Sequence, residues 1–205
     1  MNYDKTIYTI GHSNHEMDYF REMLNGIGVT CVIDVRSIPA SAYSPHFNME
    51  PLRAYLKRHN IIYLHFAREF GARQTEPEVL DISGKVDFDK VRQTQSFLSG
   101  IQRLNDGLNK GYTIALMCSE AEPFDCHRFS LISYYLVHNG FAVKHILKDK
   151  TTIDNSVLEK RLLKFYDKQI PKPDIFDPVA LSPVVQLNFA YHLRGNDVAY
   201  NTLTD

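Results

Sequence analysis

The sequence predicts an α/β protein: an open, mostly parallel five-stranded sheet with helices on both faces, Rossmann-like or flavodoxin-like, followed by an irregular C-terminal extension. Three observations predict it. Short β-branched and aromatic runs alternate with segments whose apolar residues recur at helical period. Gly, Pro and Asn fall at the breaks, where helices and strands end. A chain of 205 residues can bury one full core. The expected layout is one domain over residues 1–166 and a Pro-containing extension over 167–205.

Taken in order, residues 5–10 form the first strand, ended by Gly11-His12-Ser13-Asn14. Ser13 and Glu16 have the spacing of a capping box ahead of a helix on Met17, Phe20, Leu24 and Ile27. Residues 31–35 read as a strand stopped by Arg36-Ser37-Ile38-Pro39. Asn48 is placed to cap a helix with Pro51 in its first turn and Leu52, Tyr55, Leu56 and His59 on one face. Residues 61–66 are a third strand. The aperiodic stretch 67–86, with Arg68, Gly71 and Arg73, is long enough to act as a lid. Phe97, Ile101, Leu104 and Leu108 mark a helix, and 114–117 a strand that stops at Cys118. Phe129, Ile132, Tyr135 and Leu136 continue a buried helix, 142–147 is a fifth strand, and Ser156 with Glu159 opens a last helix. The tail carries Pro171, Pro173, Pro178 and Pro183 without helical period.

Composition narrows the function. A net charge of −1 argues against broad non-specific binding to duplex nucleic acid, though a local basic pocket stays possible. No apolar run reaches membrane-spanning length, and Met1-Asn2-Tyr3-Asp4-Lys5 has no signal-peptide pattern. Three cysteines are too few and too odd for a disulfide framework, so a reducing, cytoplasmic setting is expected. The oligomeric state is left open.

The chemistry concentrates in residues 118–128. Cys118, Glu120, Glu122, Cys126, His127 and Arg128 put two thiols, two carboxylates, an imidazole and a guanidinium into one strand-to-helix connection. Asp125 reads as an N-cap that places Cys126, His127 and Arg128 in a first helical turn. There, exposed amides and Arg128 would hold a thiolate or a phosphate. In open parallel sheets ligands bind beyond the carboxyl ends of the strands. Four polar clusters sit there by sequence: Gly11 to Asn14, Asp34 with Arg36 and Ser37, Arg68 to Arg73, and Cys118 to Arg128. One shared cleft is expected. Plainer readings stand beside it: Ser13 and Asn48 as caps, Asp34 as a partner of Arg36, Cys31 as a core residue, His59 and His138 as helix-surface residues.

These residues carry a resemblance. Thr9 to Ser13 (Thr-Ile-Gly-His-Ser), Asp34-Val35-Arg36 with Pro39, Pro45-His46-Phe47-Asn48, and Cys118, Glu120 with Cys126-His127-Arg128 resemble the motifs of the domain of unknown function 488 family. The likeness covers roughly residues 5 to 148. That family's Leu-Gly-Gly stands here as Phe70-Gly71-Ala72. The resemblance implies a cytoplasmic α/β setting and a site pattern, and no settled reaction. Ile33 to Arg36 is also similar to an early strand of rhodanese-like domains, but the arginine six residues after the cysteine is Phe124 here. Neither Gly-x-Gly-x-x-Gly after the first strand nor Gly-x-x-x-x-Gly-Lys occurs.

The expected function is an enzyme, a hydrolase or group transferase without a cofactor, acting on a nucleotide-like or other phosphate-bearing small molecule. Cys118, Glu120, Cys126, His127 and His12 are the expected reacting groups; Gly11, Ser13, Asn14, Asp34, Arg36, Ser37, Asn48, Arg73 and Arg128 are the expected binding groups. The alternatives are a metal site on Cys118, Cys126, His127 and His12, holding zinc or another transition metal, and a ligand-sensing accessory of nucleic-acid processing. Gln186-Leu187-Asn188-Phe189, which loosely resembles sliding-clamp-binding peptides, is the only hint of the latter.

Overall fold

A computed structural model describes residues 5–172 and 182–204. Its sheet has six strands: β1 (Thr6–Gly11), β2 (Cys31–Asp34), β3 (Ile62–His65), β4 (Ile114–Cys118), β5 (Ala142–Ile146) and β6 (Thr152–Asp154). Eight α-helical segments accompany them: α1 (Met17–Asn25), α2 (Met49–Arg58), α3 (Ala67–Phe70), α4 (Phe88–Val91), α5 (Gln95–Asn109), α6 (Tyr134–His138), α7 (Asn155–Phe165) and α8 (Pro183–Val198). The α/β class and the mostly parallel sheet are as the alternating pattern predicts.

The strand order is β3-β2-β4-β1-β5-β6. The first five run parallel, and β6 returns antiparallel along β5 from a tight turn in which Lys150 has φ 70°. The sixth strand corrects the expected five. It is too short to stand out as a periodic run. The order also departs from the doubly wound patterns, since β4 is inserted between β1 and β2. This insertion puts the ends of β3, β2, β4 and β1 side by side, and each is followed by one of the four polar clusters.

Strand alternation splits the core in two. Cys31, Ile33, Leu116 and Cys118 face the side packed by α5 and the segment 128–137. Val32, Ala115, Met117 and Ile10 face the side packed by Phe20, Leu24, Leu52 and Leu56 of α1 and α2. Cys31 is buried as expected, and burial pushes its thiol up to about 11.

Three local expectations change. Ser13 does not cap α1: its φ is 49°, its hydroxyl turns to Asn14, and its amide donates to the Ser119 carbonyl. Asn48 does occupy the cap position of α2, but its Oδ1 accepts from the Ser41 amide at 2.6 Å instead of from the helix. The lid stretch is largely fastened down. Val79 and Val86 are buried, and Val86 donates its amide to the Tyr200 carbonyl.

The tail is not irregular throughout. Pro173 and Pro178 lie outside the described residues, but α8 opens at Pro183 with Ser182 Oγ accepting from the Val185 amide. Its inward residues are Ala190, Tyr191, Arg194 and Gly195. Two of these are small and one is charged, so the buried face lacks an apolar period. Together with α7 it closes a third apolar cluster around Phe124, Phe129, Leu158 and Leu162. The 186–189 peptide lies inside α8, with Leu187 against this cluster and Asn188 bonded to His138.

Candidate active site

A cleft of about 460 Å³ opens over the carboxyl ends of β2 and β4. Arg36, Ser37, Arg73, Cys118, Glu120 and His127 line it, with Ala72, Ser41 and Ser119 completing its wall. Ala72 occupies the place of the family's second glycine and contributes its side chain. Gly71 must stay glycine, because a Cβ there would lie 2.4 Å from the Ala67 carbonyl oxygen.

The loop that follows β4 is zipped to the loop that follows β1. His12 and Ser13 donate their amides to the carbonyls of Cys118 and Ser119, both at 2.9 Å. Gly11 lets the chains touch: a Cβ on it would lie 1.8 Å from the Glu120 carbonyl oxygen. On the far side Arg128, wholly buried, donates to the carbonyls of Glu120 at 2.6 Å and Ala121 at 3.1 Å. Arg194 of α8 pairs with Asp125 and donates to the Phe124 carbonyl, while Arg161 of α7 pairs with Glu122 at 3.2 Å. The loop is therefore gripped from β1, from beneath, and from the two C-terminal helices.

Asp125 does not cap a helix containing Cys126. Residues Pro123–Asp125 form a 3₁₀ turn, Cys126 is extended, and the helix begins at His127 before widening into a π-helical turn over Arg128–Ser133. The cap is instead the Cys126 sulfur, which accepts from the Arg128 amide at 3.5 Å. Arg128 also moves from the expected binding role to a supporting one, because its guanidinium points into the loop's backbone and does not line the cleft. Among the described residues no carboxylate pairs with it, so this buried cation has the Cys126 sulfur, not an acid, as its neighbour in charge.

The reactive groups do gather. Cys118 Sγ, Cys126 Sγ and His127 Nδ1 lie within 4.8 Å of one another. Nδ1 is 3.6 Å from Cys126 Sγ and 3.8 Å from Cys118 Sγ. His127 Nε2 faces the Val35 carbonyl at 3.2 Å. A carbonyl only accepts, so Nε2 carries a proton and Nδ1 faces the sulfurs; burial opposes a charged ring, but negative charge on Cys126 and its hydrogen bond outweigh it and raise the His127 pKa. Glu120 keeps a water-exposed flank, yet its Oε2 is 3.1 Å from Cys126 Sγ. Burial raises the Glu120 pKa, and negative charge on Cys126 raises it further. Between the thiols, Cys118 is held up by its hydrogen bond to Cys126 and by burial. Burial opposes ionisation of Cys126 too, but the Cys118 hydrogen bond, Arg128 and His127 outweigh it and bring this thiol down.

A second buried group supports the cleft floor. Asp34, fully buried, accepts from Arg36 Nε and Nη2 at 2.9 and 2.6 Å and from the Tyr63 hydroxyl at 2.7 Å. Arg36 also donates to the Phe47 carbonyl and, through Nη1, to His12 Nε2 at 3.0 Å. Four of its five N–H groups are thus committed to described residues, and Arg36 itself lines the cleft. Asp34 is a support here, matching the plainer reading. His12 uses Nδ1 on the Ser13 carbonyl and stacks on Phe47 at 4.3 Å, so both ring nitrogens are occupied behind Arg36. This takes His12 out of the expected proton-moving and metal-ligand sets. Ser13 and Asn14 bond each other outside the cleft, and Ser37 Oγ accepts from the Arg73 amide at 2.8 Å.

Sequence reasoning missed the contributions of Val35, Phe47, Tyr63, Arg161 and Arg194. Phe47 and Val35 had a signal, their places in the Pro-x-Phe-Asn and Asp-Val-Arg runs. The others act from distant elements.

Two buried histidines make acid stability testable. Burial, helped by the Arg36 charge, lowers His12 to about 4 from 6.5. Burial, helped by Arg128 and opposed by the Asn155 hydrogen bond, lowers His145 to about 4. The unfolded chain takes up these protons first, so the stabilisation is complete above pH 6.5 and falls away as pH drops toward about 4. The loss is about 1.4 kcal/mol per pH unit for each group. Urea midpoints near neutrality and at about pH 5 are expected to show clear destabilisation on the acid side. A flat or rising profile would contradict the neutral, buried rings.

The fold and this gathering of side chains define an α/β protein with a polar cleft at its strand ends, floored by a buried ion pair and walled by a Cys-Cys-His-Glu cluster. The chain belongs to the family described as domain of unknown function DUF488, whose model matches residues 16–135. No curated protein and no solved structure matches the chain. Among the described residues, no helix is long and apolar enough to cross a membrane.

Proposed function

We propose that this chain is an enzyme, a hydrolase or group transferase whose reacting centre is the Cys118, Glu120 and His127 wall of the cleft. One observation carries the reading. Four chemically reactive side chains converge at 3.1–3.8 Å where the sheet opens to solvent. A purely structural role would need none of them together, and two thiols beside a carboxylate are a poor way to fill a core. Glu120 is the proton carrier. Burial and negative charge on Cys126 raise its pKa, the direction that suits a carboxyl group to giving a proton as well as taking one.

The substrate is a small anion, with a phosphate-bearing or nucleotide-like molecule the best fit. Arg36 and Arg73 line the cleft with Ser37, Ser41 and Ser119, which offers cations and hydroxyls without a large apolar surface. With Arg128 turned inward, two arginines carry this reading instead of three. A mononucleotide-sized ligand suits the volume better than a polymer, and the balanced net charge agrees. Three unpaired thiols favour a reducing, cytoplasmic location.

The test is product formation over a panel of phosphate monoesters, nucleotides and modified nucleosides. Arg73→Ala is expected to raise KM for the substrate found by on the order of tenfold. Preference for an uncharged substrate, with KM unaffected by this change, would overturn the anion assignment.

A further inference from the structure

We infer that Cys118 Sγ, Cys126 Sγ and His127 Nδ1 form a binding site for a thiophilic transition-metal ion of the zinc class, with a fourth position open to the cleft beside Glu120. The spacing of the donors carries this. A tetrahedral ion with metal–sulfur bonds of about 2.3 Å and metal–nitrogen bonds of about 2.05 Å separates S from N by about 3.5 Å and S from S by about 3.8 Å. The two S···N separations are 3.6 and 3.8 Å, and all three donors lie within 4.8 Å. A core thiol has no reason to keep a second thiol and an imidazole nitrogen at these distances. An ion between them fits both S···N separations as they stand.

Three further features agree. His127 holds its Nε2–H on the Val35 carbonyl, which fixes the tautomer that presents Nδ1 as a ligand and orients the ring. Arg128 donates its backbone amide to Cys126 Sγ at 3.5 Å, the contact that a coordinated thiolate sulfur accepts, and its guanidinium fixes the loop between the two thiols through the Glu120 and Ala121 carbonyls. Cys118 and His127 line the cleft, so an ion held there reaches a substrate. The wide Cys118-to-Cys126 spacing is unlike a short Cys-x-x-Cys pair, but the fold brings a strand end and a helix start together and does the work of that short loop.

Binding of a divalent ion displaces two protons from the Cys118, Cys126 and His127 cluster to solvent and leaves two thiolates and a neutral imidazole around it, so the charge of the site is unchanged. Two protein sulfurs, one nitrogen and an open position are the pattern of a catalytic ion, not a closed structural one. Such an ion polarises a phosphoryl oxygen or activates water, with Glu120 placed to move the proton. This deepens the proposed reaction and rests on it for the ion's purpose, not for its binding.

The test uses the full chain, purified without a polyhistidine tag, stripped with a chelator and titrated with Co²⁺ alone. One equivalent is expected to bind, with intense visible bands of a four-coordinate ion and a thiolate-to-cobalt charge-transfer band. Cys118→Ser and Cys126→Ser are expected to weaken binding on the order of 100-fold or more, and Cys31→Ser to leave it unchanged. X-ray absorption on the zinc-loaded wild-type protein, which needs no variant, is expected to show two sulfurs and lighter ligand atoms. No charge-transfer band, a band that survives loss of both thiols, or a sulfur-free or four-sulfur shell would overturn the site. Turnover of the substrate panel by rigorously metal-free protein would overturn the ion's part in the reaction while leaving the proposed reaction class standing. A bound ion in a protein inactive on every panel member would support the site and count against the reaction.

Discussion

Asp34→Ala is expected to destabilise the protein by roughly 3–5 kcal/mol, enough to unfold many single domains. The carboxylate is fully buried and answers two Arg36 nitrogens and the Tyr63 hydroxyl. Removing it strands a guanidinium that is itself only 5% exposed and orphans the tyrosine. The cost is that of an unpaired buried charge, larger than the net worth of the pair. The double variant Asp34→Leu with Arg36→Met removes both charges and should therefore recover much of the stability lost in Asp34→Ala. Urea midpoints of the three proteins check this. A single variant within about 1 kcal/mol of wild type would mean that water reaches this pair and that the cleft floor is not sealed.

Gly11→Ala has the second large effect, and it couples stability to the site. The added methyl would lie 1.8 Å from the Glu120 carbonyl oxygen and 2.9 Å from the Ala121 Cα. Both are backbone atoms, and neither can retreat: Arg128 holds the Glu120 and Ala121 carbonyls, and the Cys118 and Ser119 carbonyls are bonded to His12 and Ser13. Overpacking usually costs about 1–3 kcal/mol, and a clash between two fixed main chains belongs at or above the top of that range. If the loop yields instead, Glu120 moves with it. Gly26→Ala is the control. Its φ of −57° is open to any residue and the nearest atom to an added Cβ is 3.5 Å away, so it should be neutral or slightly stabilising. Equal melting temperatures for the two variants would contradict the tight β1–loop contact.

Much of this arrangement was legible in the chain because it is local. The strand-stop at Cys118, the density of titratable groups after it, and polar clusters after each of the first four strands all follow from neighbouring residues. What was not legible depends on who packs against whom. All the central strands are short apolar runs, so nothing in them says that β4 pairs with both β1 and β2. Arg128 shows the same limit at one residue. A cation beside a thiol reads as a ligand contact, but Phe129 to Ile132 are buried on every side, and a long side chain at the head of such a segment is carried inward. The π-helical turn changes which way its neighbours face, and no residue type announces it. Asn48 sits in its predicted place yet bonds backward to Ser41, because the loop's unpaired amide outcompetes the helix's. Ser182 with Pro183 opens a helix in the tail, a start masked in the sequence by the other prolines around it.

Steady-state kinetics of Glu120→Gln, on whichever substrate the panel identifies, tests the reacting centre most directly. Gln keeps the size of the side chain and can still bond Cys126, so the fold and the loop should be retained. It cannot carry a proton. The expected result is a kcat lower by roughly 10²–10⁴-fold with KM within a few-fold and an unfolding midpoint near that of wild type. A folded Glu120→Gln protein that turns over at the wild-type rate would contradict the assignment of this carboxylate, and with it the Cys118, Glu120 and His127 wall as the place where the chemistry happens.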